Sequence, residues 1–461
     1  MIRKLIGDKA FYRRVLTVAV PILIQNTITN FVSLLDNIMV GQVGTLEMSG
    51  VSIINQLMFV FYLCVFGAVS GAGIFTAQFY GCQDHKGIRH TFRFKFLVGL
   101  AITLLGAGVF YFFGNELIGM YLQGDATPEE VAQTLQHGHD YLMVTLWGLL
   151  PFALANAYAS TLRETGHTFV PMAAGVAAVL INLFLNYVLI FGHFGAPAMG
   201  VQGAALATVI SRYAELAIVA LWTHCNTEKN PFIRGVFRSF HIPAGLLKQI
   251  AIKGTPLLIN EFLFASGMAV MNQCYSVRGL EVVAAMNISS TLYNLGSVAF
   301  LTMGNVVAII MGQMMGAGNS KEAVQDSHRK LTALSVASCL FFGLLLMAFS
   351  GLFPQIYNTT DSVRALASQV ICVAAAFMPF SAYVHSTYFA LRSGGRTFIT
   401  FLFDSGFVWC VNVPLAYCLS RFTGLPIVPL YALCLSTDIL KCLVGYFMIR
   451  GGGWVQNLTK V

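Results

Sequence analysis

Residues 169–193 read FVPMAAGVAAVLINLFLNYVLIFGH and contain no Asp, Glu, Lys or Arg. A helix of ~20 apolar residues spans the hydrocarbon core of a bilayer, where every backbone N–H and C=O must be paired within its own segment. The stretch is also about twice as long as the ~9–11 residues that a transmembrane barrel strand requires. It therefore predicts a membrane-spanning α-helix.

Similar apolar stretches recur along the 461 residues, of which 57% are hydrophobic and 10% are charged. An ordinary soluble domain carries about 25% charged residues. We predict an all-α integral membrane protein with twelve transmembrane helices in two six-helix lobes. The predicted spans 1 to 12 are residues 15–38, 50–77, 94–114, 139–161, 169–193, 201–223, 250–275, 283–313, 331–353, 364–391, 397–420 and 425–449. We expect the N-terminal lobe at 1–224, an inter-lobe linker at 225–249 and the C-terminal lobe at 250–461.

Lys and Arg are distributed unevenly between the two sets of loops. The termini and the loops that follow even-numbered spans hold 22 of the 27 basic residues, whereas the opposite loops hold Arg278, Arg364 and Arg421. Because Lys and Arg favour cytoplasmic loops, we expect both termini on the cytoplasmic side of the cell membrane. The net charge of +8 then reports orientation, and no nucleic-acid partner is expected.

The two halves of the chain repeat each other. At an offset of 235 residues Pro21–Gln25 (PILIQ) corresponds to Pro256–Asn260 (PLLIN), and Gln78-x-x-Gly81 corresponds to Gln313-x-x-Gly316. At an offset of 229, Leu162-Arg163 corresponds to Leu391-Arg392. Six spans per half is an even number, so the lobes are expected to be parallel and related by a pseudo-twofold axis along the membrane normal. Carriers with such repeats bind substrate between the halves and alternate access by rocking.

Charged side chains inside the spans need a partner or a function, because one at the bilayer centre costs at least ~2.5–3.5 kcal/mol. Arg212 and Glu215 on span 6 are three residues apart and share a helix face, so we interpret them as a self-neutralised pair. Asp438 and Lys441 on span 12 have the same spacing, and we interpret them in the same way.

Three acids then remain without a local partner: Asp36 on span 1, Glu261 on span 7 and Asp404 on span 11. Glu261 lies about eleven residues into its span, ~16 Å deep and close to the midplane. A carboxylate there could exchange a proton as water access changes sides, or coordinate Na⁺ together with amide oxygens. The repeat pairs Asp36 with Met271 and Glu261 with Asn26, so the two lobes are expected to divide coupling and substrate binding between them.

Other polar residues within the spans have two interpretations each. Asn182 and Asn186 on span 5 share a face and either complete a polar site with Asp36 or hydrogen-bond between helices. His385 on span 10 and Asp404 are candidates for a further polar pathway, although a lone membrane histidine is more often a packing residue. Six prolines within spans are expected to remove backbone hydrogen bonds and kink their helices: Pro21, Pro151, Pro171, Pro256, Pro379 and Pro414.

Enzyme motifs are missing from the sequence. It contains no GxxxxGK[ST], no HExxH and no soluble domain to hold a nucleotide, so neither an enzyme nor ATP-driven transport is expected. The ten cysteines are scattered singly and are interpreted as small hydrophobes. No cofactor is expected beyond H⁺ or Na⁺ as the coupling ion.

Over essentially its whole length the chain resembles the MATE (multidrug and toxic-compound extrusion) transporters of bacterial type. Four segments carry the resemblance: AVPILIQN…LLDNIMVGQVG, AQFYG, LRETGHT, and INLFLNYVLIFG…GAPAMGVQGAALATVISR. The family implies a V-shaped pair of lobes and export of organic cations and drugs driven by inward flow of H⁺ or Na⁺.

The resemblance also implies roles for single residues. Asp36 matches the family's span 1 carboxylate, which takes part in coupling, Asn182 matches its span 5 amide, and Glu261 resembles the acid of span 7. Asn186 stands where several members have a second carboxylate, and Ser381 stands where some members carry an acid. These departures weaken an N-lobe cation site of that kind and Na⁺ coordination in the C-terminal lobe.

We therefore predict a secondary active transporter, functional as a monomer in the lipid bilayer, that exports small organic cations in exchange for H⁺ or Na⁺. The alternative is a flippase for a lipid-linked precursor of the same superfamily, for which more cationic residues lining the cleft would be expected. A channel or receptor would not require two matching halves.

Overall fold

The computed structural model of the protein describes residues 5–122, 127–357 and 359–459. The side chains of seven helical residues lie outside the described part: Ser33, Leu34, Asp36, Asn37, Ile38, Thr45 and Leu280. The described residues form helices, turns and loops, and no strand occurs among them.

Fourteen α-helices are present in this part of the chain. They are α1 (Lys9–Gly41), α2 (Thr45–Gly81), α3 (His85–Gly119), α4 (Pro128–Thr145), α5 (Leu149–Glu164), α6 (Phe169–Phe191), α7 (Gly200–Cys225), α8 (Ala244–Ser276), α9 (Leu280–Gly316), α10 (Lys321–Phe349), α11 (Asp361–Ser393), α12 (Thr397–Phe401), α13 (Val413–Phe422) and α14 (Ile427–Arg450). A 3₁₀ turn joins α4 to α5, and two π-helical turns, Leu402–Gly406 and Val408–Asn412, join α12 to α13. With these joined, twelve helical segments are long and apolar enough to cross a membrane, which confirms the predicted all-α, twelve-span architecture.

Local sequence fixes several helix ends. α3 begins after Asp84, whose side chain accepts hydrogen bonds from the N–H groups of Lys86 and Gly87. Before α4, Thr127 and Glu130 each accept from the backbone N–H of the other, which is a capping box. α6 ends at Phe191, and the next residue, Gly192, has φ +76°, a left-handed conformation that favours glycine.

The six prolines differ in their effect on the helices. Pro21, Pro256 and Pro379 lie inside α1, α8 and α11. The other three fall within the first three residues of α5, α6 and α13, where an N–H has no acceptor one turn earlier in its own helix. The expectation of a hydrogen bond lost inside a helix therefore applies to Pro21, Pro256 and Pro379, and it is wrong for Pro171, which lies in the first turn of its span. It stays a prediction for Pro151 and Pro414, which follow the 3₁₀ turn and a π-helical turn inside continuous spans.

The chain forms two compact units. One comprises Met1–Leu23, Ala77–Gln83 and Ala251–Val461, and the other comprises Ile24–Thr76 and Asp84–Ile250. We call them the C unit and the N unit. α1 passes from one unit to the other two residues after Pro21.

Each unit has its own apolar core. In the C unit, Val306, Leu331 and Ala390 are fully shielded from solvent, and Val15 of α1 packs in the same cluster. In the N unit, α2, α3, α4 and α7 contribute to a separate cluster that includes Ile54 and Leu142. The six-helix lobe limits predicted from the sequence, 1–224 and 250–461, stay predictions.

The repeated Gln-x-x-Gly motif meets its own copy within the C unit. A Cβ atom at Gly316 would collide with the carbonyl of Gln78, and one at Gly81 would collide with the carbonyl of Gln313. The two glutamines also anchor other segments: Gln78 donates to the Ser393 carbonyl at 3.0 Å, and Gln313 accepts from Arg14 at 3.0 Å. The ends of α2 and α9 thus approach at backbone distance, which only glycine permits.

The predicted linker packs on the beginning of α3 in the N unit. Arg93 donates to the carbonyls of Val236 at 2.8 Å and His241 at 3.1 Å, and Arg89 donates to the Phe232 carbonyl at 3.0 Å. The predicted span 94–114 left Arg89 and Arg93 in the preceding loop. That assignment is wrong, because α3 begins at His85 and includes both arginines.

Substitution of Gly316 tests the reciprocal glycine contact. Gly316→Val forces a branched side chain against the backbone of α2, so we expect a loss of about 1–3 kcal/mol in stability, as for other overpacked sites. Thermal unfolding of the detergent-solubilised protein measures it. The control is Gly351→Val, since an added Cβ there meets nothing within 4 Å. Equal melting temperatures for the two variants would contradict the contact.

Candidate functional site

Glu261 lies near the middle of α8, consistent with the depth expected from the sequence. Its side chain is half-buried, and the charges that act on it are those of Arg392 and Asp404. Within the described part of the chain no hydrogen bond to its carboxylate is present. The Glu261 carboxylate therefore lies near other charged groups but accepts no hydrogen bond from them within the described residues.

Asp404 is paired with Lys441, which the sequence analysis did not predict. Lys441 Nζ lies 2.8 Å from Asp404 Oδ1, and the two side chains are 6% and 17% exposed. Asp438 instead accepts a hydrogen bond from Ser381 Oγ at 3.0 Å. The interpretation of Asp438 and Lys441 as a self-neutralised pair is thus wrong, as is that of Asp404 as an acid without a partner. Lys441 thus pairs with Asp404 on another span and not with Asp438, its neighbour on the same helix.

Asn260 ties this ion pair to two other helices. Its Nδ2 donates to Asp404 Oδ2 at 3.1 Å and lies 3.2 Å from the Tyr388 hydroxyl. Ser405 Oγ lies 2.7 Å from Asn260 Oδ1, and the Ser405 N–H donates to the same oxygen at 3.3 Å. Asp404 and Ser405 belong to a π-helical turn, a wider turn that is frequent at functional sites. The residue after Pro256–Asn260 is Glu261, so one short stretch of α8 supplies both the fixed amide and the free acid.

His385 has the contacts of a packing residue. Its Nδ1 lies 2.9 Å from the carbonyl of Ser381, one turn earlier on α11, and its ring is 4.5 Å from the ring of Phe300. The charges of Asp404, Lys441 and Asp438 act on it. The structure therefore brings His385 and Asp404 into one neighbourhood, and their role in a polar pathway stays a prediction.

The N unit contains a polar cavity of about 280 Å³. Its lining comprises Gln25, Asn26, Thr29, Val32, Phe152, Asn156, Ala159, Arg163, Gly175, Ala178, Val179, Asn182, Thr208, Ser211, Arg212 and Glu215. Arg212 Nη1 lies 3.0 Å from Glu215 Oε2, which confirms that predicted pair, and its guanidinium lies 5.0 Å from the centre of the Phe152 ring.

The two predicted amides are joined in this unit. Asn182 Nδ2 donates to Thr208 Oγ1 at 3.2 Å, and Asn186 Nδ2 donates to Asn182 Oδ1 at 3.3 Å. Both asparagines are buried. Asp36 belongs to the backbone of α1, but its side chain lies outside the described residues, so its predicted contact with these amides stays a prediction.

Sequence reasoning missed two arginines. Arg163 and Arg392 were counted as loop cations, but they lie in the last turns of α5 and α11. Arg163 lines the N-unit cavity, and Arg392 is 6% exposed and acts on Glu261. The sequence contained evidence for these two residues, because the repeat aligns Arg163 with Arg392. A basic residue at the same position in both halves is a candidate functional residue.

A buried ion pair in the N unit was missed as well. Lys95 Nζ lies 2.5 Å from Glu164 Oε2 and also donates to the hydroxyls of Ser160 and Thr161. These contacts of Lys95 hold α3 against the end of α5. Among the described residues no group of three or more His, Cys, Asp or Glu side chains is arranged to hold a metal ion.

The observations together define a polytopic helical membrane protein whose sequence contains two repeats, with buried charge networks in each unit. The family model of MatE matches residues 21–188 and 256–418, one copy in each half of the chain. The chain belongs to the MatE family, as the resemblance in its motifs predicted.

Relatives and solved structures agree with this assignment. The chain is 23% identical over 456 residues to a probable multidrug resistance protein NorM of Thermotoga maritima, covering 96% of this chain and 93% of the relative. It is 24% identical to the multidrug resistance protein PmpM of Pseudomonas aeruginosa, with 89% and 84% covered. Among solved structures, an outward-facing multidrug resistance MATE family transporter has a TM-score of 0.87 at 17% identity, with 97% of both chains covered. A MATE transporter in complex with MaL6 has a TM-score of 0.83 at 18% identity, with 98% and 97% covered. These structures share the fold.

Removal of Asp404 tests the C-unit network. Asp404→Asn leaves Lys441 buried without a counter-charge, so we expect about 3–5 kcal/mol of destabilisation, measured as a fall in the melting temperature. Combining Asp404→Leu with Lys441→Met removes both charges and should regain most of the loss. The control is Lys330→Met, which breaks the more exposed pair with Asp326 and should change stability by at most about 1 kcal/mol. If the double variant is no more stable than Asp404→Asn, the ion pair is not what holds this region.

Proposed function

We propose that this protein is a secondary active transporter that exports organic cations and drugs in exchange for H⁺ or Na⁺ by alternating access. Membership of the MatE family supports the transporter class, and the multidrug resistance names of the relatives support efflux of drugs. The observation that carries the coupling part of the proposal is the state of Glu261.

Glu261 differs from the other acids around it. Asp404 is satisfied by Lys441 and Asn260, and Asp438 accepts from Ser381. The Glu261 carboxylate accepts no hydrogen bond from the described residues, although it lies midway along a membrane-spanning helix. An arriving proton or Na⁺ would therefore bind there without breaking an existing bond. An acid in this position is a functional candidate by default, because its burial is costly.

The N unit supplies the second part of the proposal. Asn182, Asn186 and Thr208 form a hydrogen-bonded row that lines or adjoins the cavity. We propose that Asp36 of α1 completes this polar site and that the cavity receives substrate. Glu261 then serves coupling and the N-unit cavity serves binding.

The same proposal includes sidedness and assembly. The distribution of Lys and Arg supports cytoplasmic termini in the cell membrane, since basic loops favour that side. Each unit has its own buried core and its own polar site, so we propose that one chain is sufficient for transport.

Vesicles reconstituted with the purified protein test the coupling role of Glu261. Uptake of the fluorescent cation rhodamine 123 is followed under an imposed pH gradient or an imposed Na⁺ gradient. We expect one gradient to drive uptake and Glu261→Gln to reduce the driven uptake at least about tenfold, since an uncharged amide can neither take up a proton nor neutralise Na⁺. Asp36→Asn should reduce uptake as well.

A matched control separates coupling from general loss of charge. Glu322→Gln changes an exposed acid in the first turn of α10 and should transport like the unmodified protein. The antiporter proposal fails if neither gradient drives uptake, or if both Glu261→Gln and Asp36→Asn transport at the rate of the Glu322→Gln control.

A further inference from the structure

The linker between the two halves of the repeat carries basic residues without acidic ones. Residues 229–253 contain no Asp or Glu and five basic side chains: Lys229, Arg234, Arg238, Lys248 and Lys253. Arg234 and Arg238 are exposed, and neither forms an ion pair with a residue of the ranges that the structure describes. The positive charge of the linker therefore lies on the surface of the N unit.

A buried arginine holds the linker in one conformation next to α3. The guanidinium of Arg93 donates to three linker carbonyls: Gly235 at 3.2 Å, Val236 at 2.8 Å and His241 at 3.1 Å. With these carbonyls bound to α3, the side chains of Phe237, Arg238 and Phe240 are exposed. The linker thus presents two aromatic rings and a guanidinium on a structured surface.

The two exposed rings lie where α3 becomes apolar. Residues 85–95 of this helix include four Lys and Arg, whereas residues 96–114 contain no charged residue. Phe96 stands at this boundary, and its ring centre lies 5.3 Å from that of Phe237 and 6.2 Å from that of Phe240. Because an uncharged stretch of this length spans the hydrocarbon core, its basic end marks the membrane surface. Phe237 and Phe240 are therefore at the level of the membrane interface.

The chemistry of these side chains fits an anionic phospholipid. We call Arg234, Phe237, Arg238 and Phe240 the linker patch. A guanidinium can bind two phosphate oxygens at once, and basic residues at a membrane surface are attracted by anionic lipids. Aromatic rings beside them bury apolar surface at the boundary between headgroups and acyl chains. An acidic protein in solution would meet the arginines but would leave the rings without an apolar partner.

We propose that the linker patch binds an anionic phospholipid, with Arg234 and Arg238 on the headgroup phosphate and Phe237 and Phe240 against the adjoining acyl chains. The lipid then ties the linker, and with it the beginning of α3, to the membrane surface. Binding of this kind requires neither an ion gradient nor a transported substrate. The inference therefore goes beyond the proposed function and is tested apart from it.

Quenching of a tryptophan by brominated lipids measures lipid binding at one position of the protein. Phe237→Trp is reconstituted into mixtures of phosphatidylglycerol and phosphatidylcholine in which one of the two lipids is brominated. Subtracting the quenching of the unmodified protein, which has four tryptophans of its own, isolates the new residue. We expect at least about a tenfold preference for phosphatidylglycerol, since each basic residue near anionic lipid strengthens binding about fivefold.

Removal of the two arginines tests their part in this preference. Arg234→Gln combined with Arg238→Gln in the Phe237→Trp protein should lower the preference about tenfold or more, to nearly equal binding of the two lipids. The matched control is Lys321→Gln, which removes an exposed basic residue at the start of α10 in the C unit and should keep the preference. Both arginines are exposed, so we expect the double variant to fold and reconstitute like the control.

A second reporter separates a local site from general attraction to the bilayer. Phe112 is 74% exposed on the same helix α3 and lies sixteen residues beyond Phe96, about 24 Å along the axis. At Phe112→Trp we expect no preference between the two lipids. The proposal is wrong if Phe237→Trp shows no preference, if the preference survives loss of both arginines, or if Phe112→Trp shows the same preference. A failure of gradient-driven uptake contradicts the proposed function alone, because lipid binding is measured without a gradient.

Discussion

Placing a charged side chain in the membrane interior costs several kcal/mol, and the arrangement of both units depends on how that cost is offset. Lys441 is 6% exposed, and its charge is met by Asp404 on another span at 2.8 Å. Asp404 in turn needs a second donor, which Asn260 supplies from α8. The ion pair therefore fixes three spans relative to one another, and it does so inside one apolar core. Lys95 and Glu164 join α3 to α5 in the N unit by the same means.

The π-helical turn at Leu402–Gly406 positions Asp404 for its ion pair with Lys441. Asp404 and Ser405 lie in a π-helical turn, where the extra residue per turn changes the direction in which side chains leave the helix. Both residues contact Asn260, one through its amide and the other through its carbonyl oxygen. A regular helix through Leu402–Gly406 would turn these side chains to different angles. The π-helical turn is thus maintained by its hydrogen bonds to α8 and positions the acid that Lys441 requires.

The architecture was predictable from the sequence because it follows from length and period. Apolar stretches of ~20 residues are rare in soluble chains, and a repeat at a constant offset shows two equivalent halves. Single charges were harder to place. Arg212 and Glu215 pair as their spacing predicted, whereas Asp438 and Lys441 have the same spacing and do not. Spacing on one helix shows which side chains can meet, but the partner on a neighbouring span decides whether they do. Arg163 and Arg392 were overlooked because a basic residue near a span end was assigned to a loop.

Divergence between the repeats carries more functional information than their similarity. A buried basic residue needs a partner, and the two halves of the repeat supply different ones: Lys441 pairs with an acid on another span, whereas Arg212 pairs with Glu215 on its own helix. Around Asn260, Lys441 pairs with Asp404, and the Asn260 amide donates to both Asp404 and Tyr388. Around Gln25, the positions that correspond to Glu261 at the offset of 235 and to Asp404 at the offset of 229 are Asn26 and Gly175, which line the cavity, and the Gln25 side chain packs over Gly175. The half with fewer acids contains the polar cavity, and the half with more acids contains Glu261, whose carboxylate accepts no hydrogen bond from the described residues. Two halves built from one sequence repeat thus differ in their buried polar networks because the residues at equivalent positions differ.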